Sequence, residues 1–121
     1  MRYLIVIGLV IIAFSNQGCL YDKPQPLVIC DSPAVVTYSG YIVPILSASC
    51  YRCHSRANAP ANAIGIVLDD YASLKKQVPQ PLQDAVMHTG TLVPMPKDGL
   101  MLDACTIDKI KKWIAQGALN N

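Results

Sequence analysis

Glutamate is absent from this 121-residue chain, and all eight acidic side chains are aspartate. Nothing else in the sequence gives a physical reason for that bias. Histidine is scarce, with two residues, and no acid–base pair or nucleophile–base constellation stands out around them, so the chain is not expected to be an enzyme in its own right. A charge excess is lacking too. Residues 1–18 carry Arg2 as their one charge, so beyond them nine basic side chains stand against eight acids. Such a balance argues against nucleic acid as a partner. There are no internal repeats, which excludes a solenoid or array. No apolar run is long enough to span a bilayer. The longest, residues 3–14, reaches about 18 Å as a helix, against roughly 30 Å of hydrocarbon. The length suits one domain.

That apolar run has its own meaning. Arg2, then YLIVIGLVIIAF, then the small and polar SNQGC follow the order of a secretory signal. An uncleaved anchor and a buried helix are the alternatives. SNQGC is also similar to a bacterial lipoprotein box. Gly18 supplies the small residue before the cysteine, whereas Asn16 stands where an aliphatic residue is usual. The resemblance implies a signal over 1–18, lipidation of Cys19, and a membrane-anchored lipoprotein outside the cytoplasm, in the periplasm or cell envelope. Residues 20–26, polar with two prolines, read as a tether. A lead-in broken by Pro33 continues to residue 36, and the domain proper is expected over 37–121.

Five cysteines are an odd count for an exported chain. Lipidation uses Cys19, and the closely spaced Cys50 and Cys53 form a motif of their own. Cys30 and Cys105 remain, and an oxidising compartment favours a disulfide between them over two separate buried thiols. It would close a loop of about 75 residues, worth roughly 4 kcal/mol in the chain-entropy model.

The periodic segments are helical, and an all-α domain of three to five short helices is expected. Ile42, Ile45 and Leu46 begin the first, with Ser39 as a candidate N-cap and Pro44 in its first turn, running into Cys50. Residues 55–62 read as a loop and 64–68 as a short extended piece. Asp69 or Asp70 caps a helix that ends before Pro79. Pro81 opens the next, stopped at Gly90. Residues 91–102, TLVPMPKDGLML, hold two prolines and a glycine, yet remain apolar. An apolar loop without structure of its own needs something apolar to lie against. Asp103 then caps the last helix, with Leu102 and Ile107 at the staple positions. Ile107, Ile110 and Ile114 form its inner stripe beside Trp113. Lys109, Lys111, Lys112 and Gln116 are expected to face out, and Gly117 ends it.

Cys50-Tyr51-Arg52-Cys53-His54 carries the chemistry. On a helix the two thiols and the imidazole fall at i, i+3 and i+4 and share a face. C-x-x-C-H is the signature of c-type haem attachment, in which two thiols hold the porphyrin edge and the imidazole reaches the iron. Structural zinc would need four protein ligands, with His88, an aspartate, or an unpaired Cys30 or Cys105 completing the set. A thioredoxin-type dithiol would need a βαβ setting, which this pattern lacks. For haem, a second ligand is expected from Met95, in the apolar loop between Pro94 and Pro96; a thioether raises the potential relative to a second imidazole. His88, Met101 and an open site are the alternatives, and Met87 is expected in the core.

With C-x-x-C-H and the Val93-Pro94-Met95-Pro96 loop together, the chain resembles a monohaem c-type cytochrome. The ending Trp113-Ile114 with Gly117-Ala118 is similar to small cytochrome c domains of Bacteroidota-type lipoproteins. The resemblance covers 37–121. It implies first and last helices packed across each other, one covalent haem c held by Cys50 and Cys53, His54 and Met95 as axial ligands, and electron transfer between redox protein partners with no small-molecule substrate. The extra Cys30 and Cys105 depart from the pattern. A backbone carbonyl near Ala59-Pro60 is expected to take the other ring nitrogen of His54. Arg52, Arg56, Tyr71 and Trp113 are candidates for haem propionates, and Lys75, Lys76, Lys109, Lys111 and Lys112 for steering an acidic partner. A gas sensor or small peroxidase with a labile distal ligand, a zinc-binding exported protein, and a subunit of a larger redox complex are the rival readings.

Overall fold

A computed structural model describes residues 29–97 and 99–121. The expected leader, Cys19 and the tether lie outside the described residues. Among those residues every regular element is helical. A π-helical turn, Tyr38–Ile42, runs straight into α1, Val43–Ser49. Single turns α2, Tyr51–His54, and α3, Ala59–Asn62, follow, then α4, Tyr71–Lys75, α5, Gln80–Met87, and α6, Ala104–Ala115. The class is the expected all-α. Among the described residues there are six α-helices where three to five were expected, because two are single turns. Cys50, at φ −122°, breaks α1 from α2. Pro60, in the first turn of α3, nucleates a helical turn inside the segment expected to be loop. Residues 64–68 form no strand; Ile64 and Gly65 make a turn with positive φ instead. No helix here is long and apolar enough to cross a membrane.

The first helical entry differs from expectation. Thr37, not Ser39, is the N-cap, its Oγ1 accepting from the Gly40 amide at 3.2 Å. Glycine is required there, since a Cβ would lie 2.7 Å from that hydroxyl. Pro44 has no N–H for the Gly40 carbonyl and its ring would clash with it. Widening the preceding turn to i→i−5 relieves this conflict. Ser39 instead donates both its amide and its hydroxyl to the Asn121 main-chain oxygen, each at 2.9 Å.

The later caps follow the local rules. Asp70 accepts from the Ser73 amide at 2.8 Å. Asp103 accepts from the amides of Cys105 and Thr106 at 3.0 and 2.9 Å. Past α6, Gly117 N–H bonds the Ile114 carbonyl and Ala118 N–H the Trp113 carbonyl, a Schellman closure with Gly117 at φ 93°. Ile107, Ile110 and Trp113 are the buried stripe, with Ile114 half-buried beside them. Gln116, expected to face out, turns back: its Oε1 accepts from Val36 N–H at 3.1 Å and its Nε2 donates to the Ala34 carbonyl at 2.9 Å. Its amide completes the edge of an extended segment that has no strand partner.

The lead-in is thereby part of the packed body. Val36 is buried, Ser32 donates to Asp108 at 2.7 Å, and Cys30 and Cys105 form a disulfide with Cα atoms 5.1 Å apart. The core gathers Val36, Tyr38, Ile42 and Leu46 from the N-terminal side, Leu68, Leu74, Leu82 and Val86 from the middle, and Ile110, Trp113 and Ala118 from the end. α6 packs on the π-turn and on α5.

Two outcomes are expected. Replacing Cys30 and Cys105 together by alanine lowers the unfolding free energy by about 4 kcal/mol, since the bond spans 75 residues; matched denaturant curves for wild type and variant measure this. Capping hydrogen bonds hold the carboxyls of Asp70 and Asp103 below their ordinary 3.8. Stability from these groups is present above that value and is lost as pH falls through the lower folded-state pKa. A double Asp70→Asn, Asp103→Asn variant should therefore show a flatter stability profile below pH 4 than wild type, read by thermal unfolding across pH.

Candidate functional site

Cys50 sits at the break between α1 and α2. Its amide still reaches back to the Leu46 carbonyl at 2.8 Å, while its own carbonyl accepts from Cys53 and His54 amides at 3.1 and 2.8 Å. The i, i+3, i+4 relation survives the break for this reason. Both thiols are half-buried and unpaired. Burial pushes the Cys50 thiol up to about 11.

His54 is fixed twice. Its carbonyl accepts from the Leu68 amide at 2.8 Å, and its ring Nδ1 lies 2.9 Å from the Ile66 carbonyl. A carbonyl only accepts, so Nδ1 carries the proton and Nε2 keeps the lone pair. The expected partner near Ala59-Pro60 is not used, because the Ala59 carbonyl already accepts from Ala63 and Gly65 amides at 3.0 and 2.9 Å. The turn at Ile64 and Gly65 returns the chain so that Ile66 meets the ring.

Met95 is tied to α5. Its amide donates to the Ala85 carbonyl at 2.9 Å, and its carbonyl lies 3.0 Å from His88 Nε2. The apolar loop is thus folded over the helix that precedes it.

These pieces meet at a single cleft of about 750 Å³, within the range of cofactor sites. Ser49, Cys50, Arg52, Cys53 and His54 form one wall. Asn62, Ala63, Ile64, Ile66 and Leu68 form a second. Gln77, Pro81, Leu82, Ala85 and Val86 supply the third, and Leu92, Val93, Met95, Pro96 and Lys97 the last. All four residues singled out by sequence, Cys50, Cys53, His54 and Met95, therefore line one space.

Other candidates are elsewhere. His88 is exposed and spends Nε2 on the Met95 carbonyl. Met101 lines a separate shallow groove with Leu102 and Ile107. Met87 packs half-buried against the core. Of the four propionate candidates only Arg52 lines the cleft. Arg56 pairs with Asp70 at 3.1 Å, Tyr71 donates to the Ala118 carbonyl at 2.8 Å, and buried Trp113 donates to the Leu119 carbonyl at 2.9 Å. Lys75, expected to steer a partner, donates to the Gly117 carbonyl at 2.7 Å.

Sequence reasoning missed Asn62, Gln77 and Lys97, polar groups on the cleft wall that lie in no motif. Ile64 was missed as well, whereas Leu92 and Val93 belong to the loop expected to lie against something apolar. Ile64, Leu92 and Val93 are 95%, 45% and 59% exposed although they line an apolar cleft. Ile64 is β-branched and held at φ 47°, a genuine outlier. Large aliphatic side chains around one opening mark a surface built to be covered.

Compared with protein-family models, curated proteins and solved structures, the chain matches none.

The donor set fits a haem. Two unpaired thiols, an imidazole with a free Nε2 and a thioether share an apolar cleft with two cations, Arg52 and Lys97, and no aspartate among its described lining residues. It fits structural zinc poorly. Although Cys50, Cys53 and His54 line the same cleft, among the described residues no three His, Cys or Asp side chains come close enough to hold one metal ion between them. In protein whose thiols carry nothing, iodoacetamide should label Cys50 at a rate rising about tenfold per pH unit from pH 7 to 10, since only thiolate reacts. A plateau at the ordinary thiol value of 9.0 would contradict the burial.

Proposed function

We propose that the cleft takes one haem c, bonded through Cys50 and Cys53 and ligated by His54 and Met95, and that the protein is an electron carrier with a cytochrome c-like fold. The observation carrying this reading is the convergence of all four side chains on one apolar cleft. When bound, the haem supplies a one-electron couple. The rest is the work of this chain. His54 presents Nε2 because its Nδ1 proton is committed to the Ile66 carbonyl. Met95 would offer a soft donor from a loop bonded to α5, and with His54 and Met95 both engaged no ligand position would remain for a substrate. Leu68, Leu82 and Val86 keep water from the cleft floor, and Ile64, Leu92 and Val93 cover its edge. Arg52 and Lys97 are the cations available to carboxylates at the rim. On this reading the partners are redox proteins, and lipidated Cys19 holds the domain to a membrane outside the cytoplasm.

A pyridine haemochrome assay should find one covalent haem per chain; none would sink the reading. Oxidised wild type should show the far-red sulfur-to-iron band, and Met95→Ala should lose it. Reduced wild type should not bind carbon monoxide at neutral pH. Binding with the band absent would favour a sensor or small peroxidase.

A further inference from the structure

His88 ends α5 in the left-handed region, at φ 56° and ψ 41°, where non-glycine residues are uncommon. The turn is held by main-chain bonds: His88 N–H to the Ala85 and Asp84 carbonyls, and Thr89 N–H to the Asp84 carbonyl at 2.9 Å. From that bend the exposed imidazole reaches across seven residues to the Met95 carbonyl, 3.0 Å from Nε2. A carbonyl only accepts, so Nε2 is the protonated nitrogen. The Met95 amide meanwhile bonds the Ala85 carbonyl at 2.9 Å. The end of α5 thus grips the main chain of Met95 on both sides of its Cα. Residues 89–94 between them are exposed and hold no helix.

We propose that His88 is a positioning residue for Met95: its imidazole latches the methionine loop and sets how readily the thioether gives way to an outside ligand. The assignment rests on the proposed role of Met95 as an iron ligand. If Met95 leaves by swinging its main chain away from α5, the latch has to break. Removing it then favours the released state, and a competing ligand gains apparent affinity by the same factor. For one exposed hydrogen bond that factor is about two to five.

The test is a titration of the oxidised holoprotein with imidazole, followed through loss of the far-red sulfur-to-iron band, in wild type, His88→Ala, His88→Gly and His88→Gln. The alanine and glycine variants should bind imidazole about two- to fivefold more tightly. Gln, whose side-chain amide can also donate, should return toward wild type. Pyridine haemochrome yields should be equal in all four, since attachment does not involve residue 88. An alanine variant with wild-type affinity overturns the assignment while leaving the haem reading intact. Only glycine relieves the left-handed strain, so an affinity change confined to the glycine variant, with alanine at wild type, assigns the effect to the bend and overturns the proposal. Wild type without the sulfur-to-iron band overturns both the ligand reading and this one.

Discussion

The indole of Trp113 is the point on which the three parts of the chain agree. Its ring is fully buried and stacks on Tyr38 at 6.0 Å, and Tyr38 in turn meets Tyr71 edge-on at 5.3 Å. A buried indole needs a partner for its N–H, and the Leu119 carbonyl supplies it at 2.9 Å because the closure at Gly117 turns the chain back over α6. That turn exposes the Ala118 carbonyl, which accepts from Tyr71 and Lys75 at 2.8 and 3.1 Å and so seats α4. The segment entering α4 then carries Ile66 and Leu68, whose backbone groups hold His54. The line from Trp113 to the imidazole is continuous, though the two residues lie at opposite ends of the domain's sequence.

The core has little depth. Leu68, Leu82 and Val86 belong both to the core cluster and to the cleft wall. A small domain buries a modest share of its unfolded surface, and here one face of that share opens on the cleft. Whatever fills the cleft completes the core from that side. The disulfide and the Gln116 amide, none of whose residues lines the cleft, fasten the lead-in to α6.

Much of this was legible from local rules. Asp70 and Asp103 cap as their positions demand, Gly117 closes α6, and Cys50, Cys53, His54 and Met95 stand out by residue type and spacing. What could not be read depends on chain segments meeting in space. Thr37 displaces Ser39 as a cap because Asn121 claims Ser39. Ile66 replaces Ala59 beside His54 because α3 consumes the Ala59 carbonyl. Gln116 turns inward because Val36 and Ala34 lack a strand partner. The exposed aliphatics of the cleft rim were visible as letters, but only geometry showed that they share an opening.

The bond from His54 to the Ile66 carbonyl has one more implication. A carbonyl oxygen can hold the ring proton but cannot take it away, and the described lining of the cleft offers no carboxylate or phenol as an alternative base. The protic groups on that lining, among them the Cys50 and Cys53 thiols and the Lys97 ammonium, are not partners of the imidazole Nδ1, which is held by the carbonyl. If the cleft takes up a charge, as the proposed function requires, Arg52 and Lys97 are the cations on its wall that can balance it, while the carbonyl bond keeps the imidazole in one orientation.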